Sequence, residues 1–302
     1  MSPPLRVPAG VLALVGNAAR RQRETEQRCL ALLTDAGFEL VHLPVLEFAE
    51  SATGAGYRFV DRGGQLLALR TDFTPLAARV LSPTLESSAL PLAVCYAGEV
   101  VRPQPARLRQ LPELYQLGFE SYGATGGGVR ALELTIRLLS AAGVKPACCH
   151  VSVSVAGLVE EVLGQMLEQP ADEELLELVR VRDLDALAEA LALRGRTLDM
   201  LEGALLGRDP ARWAEFFGVG AQLERLQPLL ACAAHAGLAA GVELAPRLVG
   251  GYYQGAVFSV WGRHTRAVLA GGGEYEVALR RGPLPAAGAS LALGVALEEA
   301  AC

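Results

Sequence analysis

Two runs, PLAVCYAGEVVR (91–102) and QLPELYQLGFESYG (110–123), decide how this chain folds. Each reads as a β-strand, and PQPARLRQ (103–110) is the loop that joins them. Strands joined in this way pair antiparallel, which sends Arg102, Gln116 and Glu120 towards one sheet surface. The arginine offers a fork for a carboxylate or phosphate, and Gln116 and Glu120 add acceptors for a polar ligand. A solvated sheet face accounts for the same pattern.

Upstream of this hairpin, RRQRETEQRCLALLTDAGF (20–38) repeats apolar residues at helical spacing and stops at Gly37. ELVHLPVLE (39–47) alternates like a strand and meets Pro44. YRFVDRGGQLLALR (57–70) reads as a second hairpin turning at Arg62-Gly63-Gly64, and TPLAARVLS (74–82) as a helix. Downstream, VRALELTIRLLSAAG (129–143) is an amphipathic helix ending at Gly143, and ACCHVSVSV (147–155) is a strand. The texture then turns wholly helical between residues 157 and 237, and strands return in APRLVGGYYQGAVFSVWG (245–262) and RAVLAGGGEYEVAL (266–279). The expected fold class is α+β: an antiparallel sheet with helices between hairpins. The expected domains are a core of residues 1–156 and 238–302, and a helical insertion at 157–237.

Composition narrows the function classes. The chain has 302 residues, 51% hydrophobic and 20% charged, enough for one large core. A net charge of -6 argues against a free-standing nucleic-acid binder. Lys145 is the only lysine, which removes most options for a lysine nucleophile. Cysteines 29, 95, 148, 149, 232 and 302 show no CxxC spacing and no histidine at metal-ligand spacing, so no metal site is expected. The N-terminal charges follow the short apolar run, the wrong order for a signal peptide, and no run approaches a membrane span. A soluble, cytoplasmic protein is the expectation.

Three further stretches could carry chemistry. In LRTDFTPLAAR (69–79), Arg70, Asp72 and Thr74 share one face of a strand end. An acid and a hydroxyl there suit a bound ammonium group. The bland alternative is that Thr74 caps the next helix, with Pro75 at its first position. LVGGYYQGAVFSVWG (248–262) sets Tyr252 and Tyr253 beside glycines, like a pocket wall. AGGGEYE (270–276) does not match a phosphate-binding glycine pattern and reads as a turn or bulge, and ATGGGVR (124–130) as a loop before a helix.

Taken in order, these pieces resemble the catalytic domain of histidyl-tRNA synthetase, a class II aminoacyl-tRNA synthetase. The helix and GFELVHLPVLE resemble motif 1, which implies a homodimer interface, and YAGEVVR with ELYQLGFESYG resembles motif 2. LRTDFT is similar to the family's histidine-binding LRPEGT segment, and YYQGAVFSV and AGGGEYE to its histidine-specific segments. The departures fall on catalytic positions. Leu248 stands where RGLDYY carries an arginine, Ala296 and Leu297 where motif 3 carries Glu-Arg, and Gln104 and Gln110 replace charged residues of the motif 2 loop. Adenylyl transfer depends on positioned cations that these residues do not supply. The chain also ends after motif 3, so no anticodon-binding domain is expected.

That combination resembles the regulatory subunit of short-form ATP phosphoribosyltransferase, and LRTDFTPLAAR is close to that family's LRPDFTxPxAR segments. The resemblance implies a non-catalytic protein of histidine biosynthesis, without cofactor. It implies a homodimer inside a hetero-octamer with the short catalytic subunit, which it activates while mediating feedback inhibition by L-histidine. A divergent histidyl-tRNA synthetase or histidine-activating ligase is the alternative, and a tRNA-sensing scaffold a third. By resemblance Asp72 and Thr74 hold the ligand's α-amino group, Arg102 and Gln116 lie near its backbone, Glu120 and Tyr253 meet the imidazole, and Tyr252 and Tyr275 complete the wall.

Overall fold

The computed structural model describes residues 11, 13–52, 56–87, 90–102, 112–124, 127–207, 209–246 and 251–302, with Met200 described through its backbone alone. The hairpin that opened the sequence reading is present. Strand β5 (Leu92–Val101) pairs antiparallel with β6 (Glu113–Tyr122), with Val94 opposite Glu120 and Gly98 opposite Gln116. It belongs to an eight-stranded sheet in the order β1-β5-β6-β11-β10-β9-β7-β8. The remaining members are β1 (Glu39–Leu40), β7 (Cys149–Val155), β8 (Ala239–Val242), β9 (Tyr253–Gly262), β10 (Val268–Leu279) and β11 (Gly282–Ala292).

The sheet is antiparallel through its centre, as expected, and gains a parallel strand at each edge. The six central strands pair antiparallel, but β1 runs parallel to β5 and β8 parallel to β7. Parallel neighbours need a long crossover, and both edges have one. Between β1 and β5 come β2 (Leu46–Phe48), β3 (Arg58–Val60), β4 (Leu66–Leu69) and helix α2 (Phe73–Ser87). Between β7 and β8 come seven helices, from α4 (Leu158–Leu167) through α5 (Glu173–Val181), α6 (Leu184–Ala192), α7 (Asp199–Leu205), α8 (Pro210–Phe216) and α9 (Gly220–Glu224) to α10 (Gln227–His235). Asp172 and Asp183 cap α5 and α6 by accepting from Leu175 N and Ala186 N. Leu175, Trp213 and Leu229 from this stretch share one hydrophobic cluster with Val151, Val260 and Leu138, so the helices and the sheet bury a common core.

Helix α1 (Asn17–Asp35) ends as the sequence predicts. Gly37 adopts φ +90°, and Phe38 N returns to Leu33 O at 3.0 Å, a left-handed stop that glycine reaches without steric cost. Helix α3 (Gly127–Ala141) stops in the same way at Gly143, with Val144 N on Leu139 O. The stretch 39–47 departs from expectation: it is two short strands in two sheets. Pro44 donates no hydrogen bond, and the Arg70 guanidinium takes the carbonyls of Leu43 and Pro44, breaking the ladder there. Strands β2, β4 and β3 form a small second sheet. Its turn is closed by Asp61 Oδ1 accepting from Gly63 N and Gln65 N, both at 2.8 Å. Helix α11 (Leu293–Glu299) ends the fold. Among the described residues no helix is long and apolar enough to cross a membrane.

Candidate functional site

Alternate residues of β6 face one side of the sheet, so Gln116, Gly118 and Glu120 line up along the strand. Glu120 is completely buried there. Its Oε1 accepts from Thr74 Oγ1 at 2.6 Å and Tyr96 OH at 2.8 Å, and its Oε2 from Tyr275 OH at 2.7 Å. Burial pushes the Glu120 carboxyl up to about 7, against the pull of the three hydroxyls, and the neighbouring Asp72 adds to the rise.

Glycines make this network possible. A Cβ on Gly118 would stand 2.6 Å from the Tyr96 ring, so only glycine lets that ring cross β6 to reach Glu120. Gly288, opposite Glu120 on β11, leaves no room for a methyl group beside the carboxylate. The AGGGEYE run lies inside β10, the strand expected over 266–279, and it carries a bulge-like register shift between Gly273 and Tyr275, as one of its two expected readings had it, rather than a turn. A Cβ on Gly273 would press on Ala256 O and the Tyr253 ring, and one on Gly272 on Gly288 O, so these two positions are glycine because neighbouring strands and a tyrosine approach their backbone. Glu274, within it, accepts from Gly128 N at 3.0 Å and Ala256 N at 3.2 Å and ties the start of α3 to the sheet.

Asp72 forms the second half of the site. Burial pushes its carboxyl up, while Arg102 and the hydrogen bonds from Thr74 N and Tyr252 OH pull it down. The Thr74 N–Asp72 Oδ1 distance is 3.2 Å and the Tyr252 OH–Asp72 Oδ2 distance 3.3 Å. The capping expectation is corrected by this geometry. Asp72 stands just before α2 and accepts from its second residue, Pro75 is the third, and the Thr74 hydroxyl is spent on Glu120. Tyr252 and Tyr253 have ring centroids 4.6 Å apart, and Tyr252 meets Tyr275 edge-on at 5.6 Å. Arg102 Nε donates to Thr71 O at 2.6 Å. Gln116 is buried, and its Oε1 has no hydrogen-bond partner among the described residues.

The expected site residues therefore come together, with hydrogen bonds or ring contacts joining Asp72, Thr74, Glu120, Tyr252, Tyr253 and Tyr275. Arg70, offered beside them by the strand period, turns away. It is buried, stacks over Phe73 at 4.0 Å, and donates to Glu99 O, Leu43 O and Pro44 O. Tyr96 was missed; its signal was Gly118, the small residue opposite it in the hairpin. Leu248, Gln104 and Gln110 lie outside the described residues. Leu297 sits on α11, half-buried against the main core. Among the described residues no group of three or more His, Cys, Asp or Glu side chains could hold a metal ion. The arrangement offers a buried carboxyl at Glu120, a half-buried one at Asp72, a guanidinium and tyrosine hydroxyls, which is the chemistry of recognising a small zwitterion.

A histidyl-tRNA synthetase family model matches residues 10–295. A Ralstonia nicotianae ATP phosphoribosyltransferase regulatory subunit is 31% identical over 294 residues, covering 89% of this chain and 74% of that protein. A namesake from Moorella thermoacetica is 29% identical over 318 residues, covering 97% and 80%. Among solved structures, an ATP phosphoribosyltransferase regulatory subunit/histidyl-tRNA synthetase from Bacillus halodurans superposes with a TM-score of 0.79 at 20% identity, covering 99% of this chain and 84% of that one. A chain of the ATP phosphoribosyl transferase complex from Thermotoga maritima gives 0.64 at 21%, covering 89% and 96%. These two share the class II synthetase-like fold. With the family model spanning nearly the whole sequence and relatives above 30% identity, the chain belongs to the histidyl-tRNA synthetase-like family of ATP phosphoribosyltransferase regulatory subunits.

Proposed function

We propose that this chain is the regulatory subunit of an ATP phosphoribosyltransferase acting in histidine biosynthesis, that it binds L-histidine in the Glu120–Asp72 pocket, and that it performs no adenylation. One observation carries the reading: a hydrogen-bonded cluster of polar side chains around Glu120 and Asp72 coexists with Leu297 where the synthetase pattern has an arginine. The names of the curated relatives support it over an adenylating enzyme. Asp72 would receive the ammonium group, and the Arg102 charge acts on its carboxyl. Glu120 already accepts three hydroxyls, and a carboxylate has about four accepting positions, so one remains for an imidazole N–H.

The reading assigns residues 157–237 to an insertion between two core strands, and the helix of residues 22–36 with the strand after it to the two-fold interface of a homodimer within a hetero-octamer. It assigns a short catalytic subunit as partner and L-histidine as effector. The test is reconstitution with a short-form catalytic subunit. Stimulated phosphoribosyl transfer that L-histidine inhibits supports it. Pyrophosphate exchange by the isolated chain that depends on L-histidine and ATP would refute it.

A further inference from the structure

A second recess lies on the same face of the sheet, towards the β8 edge. It is an open recess of about 540 Å³ between β7, β8, β9 and the helices, lined by His150, Ser152, Trp261, Arg182, Glu243 and the Leu205–Gly207 turn. Cross-strand register sets its floor: His150 lies opposite Trp261, and Ser152 between Ser259 and Gly241. None of the residues joined around Glu120 lines it.

Its polar groups are held ready. Among the described residues nothing hydrogen-bonds the His150 ring or the Ser152 hydroxyl. Burial, helped by Arg263, pulls the His150 pKa down despite Glu243, so the ring is neutral and presents one donor and one acceptor. Gly241 leaves the ring uncovered, since a Cβ there would only reach ordinary contact, 3.6 Å from Cε1. Arg182 and Glu243 form an ion pair at the rim, and Arg182 Nη1 also reaches Leu205 O at 3.4 Å. Arg182 follows α5 with φ +58°, a conformation that favours glycine, yet a guanidinium is placed there.

We propose that this recess binds a free α-amino acid with a planar side chain, at a site separate from the Glu120 pocket. A cation and an anion side by side complement a zwitterion: the ligand replaces the Arg182–Glu243 contact, its carboxylate taking the guanidinium and its ammonium taking Glu243. Trp261 and His150 offer flat surfaces for the ring, and Ser152 and the imidazole supply hydrogen bonds to a ring heteroatom. The volume falls within the range of small-molecule sites. Neither the regulatory role nor a catalytic partner enters this inference.

The test is calorimetric titration of the full chain with L-phenylalanine and with L-histidine, using phenethylamine and histamine as counterparts without the carboxylate. Saturable binding of at least one amino acid is expected, with the matching amine at least tenfold weaker. Arg182→Gly removes the guanidinium and relaxes the backbone, so it should weaken binding tenfold or more without lowering the melting temperature. Glu243→Gln should weaken it through the ammonium, while Asp72→Asn, in the other pocket, leaves this component in place. No saturable binding, or isotherms unchanged by both Arg182→Gly and Glu243→Gln, overturns the proposal. Arg182-dependent binding of L-phenylalanine alongside a catalytic complex indifferent to L-histidine would uphold this site and sink the regulatory reading.

Discussion

The Thr74 hydroxyl and the Glu120 carboxylate, 46 positions apart in the chain, meet at 2.6 Å. That contact fastens the first turn of α2 to the middle of the large sheet. It also fixes the floor of the pocket, because the same carboxylate orients Tyr96 and Tyr275. A buried network of this kind is stable only while each member keeps its partners.

Glu120 should make stability depend on pH. Its carboxyl lies near 4.5 when unfolded and is raised to about 7 in the fold. Between those values the folded chain holds a proton that the unfolded chain has released, so stability falls as pH rises from about 4.5 to about 7 and then levels. The contribution is fully present below that window. Asp72 is raised too and acts in the same sense, but it is common to wild type and Glu120→Gln. The melting temperature of wild type minus that of Glu120→Gln should therefore decline across the window. Parallel melting curves from pH 4.5 to 7 would show that the carboxyl is not perturbed.

Arg70 should prove structural. Its guanidinium joins the carbonyls of Leu43, Pro44 and Glu99 and covers the Phe73 ring. A lysine has no planar fork to reproduce that set. Arg70→Lys should cost about 1.5–3 kcal/mol in urea unfolding, the worth of hydrogen bonds to a charged group. A loss below the error of the measurement would mean that the carbonyls find other partners.

Gly288 and Gly294 make a matched pair. A methyl group on Gly288 would fall on the Glu120 carboxylate and within 2.6 Å of Phe119 O, so Gly288→Ala should cost about 1–3 kcal/mol or more. Gly294, inside α11, has nothing within 4 Å, and Gly294→Ala should gain roughly 0.5–1 kcal/mol from helix propensity. Equal effects in thermal melts would contradict the close approach at Gly288.

Local periodicity carried the β5–β6 hairpin, the stop of α1 at Gly37 and the helical texture after residue 157, because each is decided by neighbours in the chain. The broken stretch 39–47 was hidden, since Arg70, which takes its carbonyls, lies more than twenty residues away. The strand over 266–279 was legible, but the reason for its glycines was not. Glycine ordinarily weakens a strand, and at Gly272 and Gly273 it is required by the close approach of Gly288, Ala256 and Tyr253. Parallel pairing at both edges depends on where long crossovers land, which no local pattern encodes. The site residues were named by motif resemblance; Tyr96 stands first in the YAGEVVR segment yet received no role, because its approach to Glu120 appears only once β5 is set against β6.

The last prediction concerns the response to histidine. Thr74→Val keeps the shape of the side chain and removes the hydroxyl that reaches Glu120. The valine cannot hold the carboxylate or receive an ammonium group, so the pocket loses one hydrogen bond to a charged group. That is about 1.5–3 kcal/mol, or roughly a tenfold to hundredfold loss in affinity. In a complex reconstituted with a short catalytic subunit, the midpoint of L-histidine inhibition should rise by that factor, each preparation being referred to its own rate without histidine. Inhibition requires histidine to bind two states of the assembly unequally, so weakened binding in this pocket must move the midpoint if the pocket is the regulatory site. An unmoved midpoint in a folded Thr74→Val complex would place the effector elsewhere and leave the Glu120 network as architecture alone.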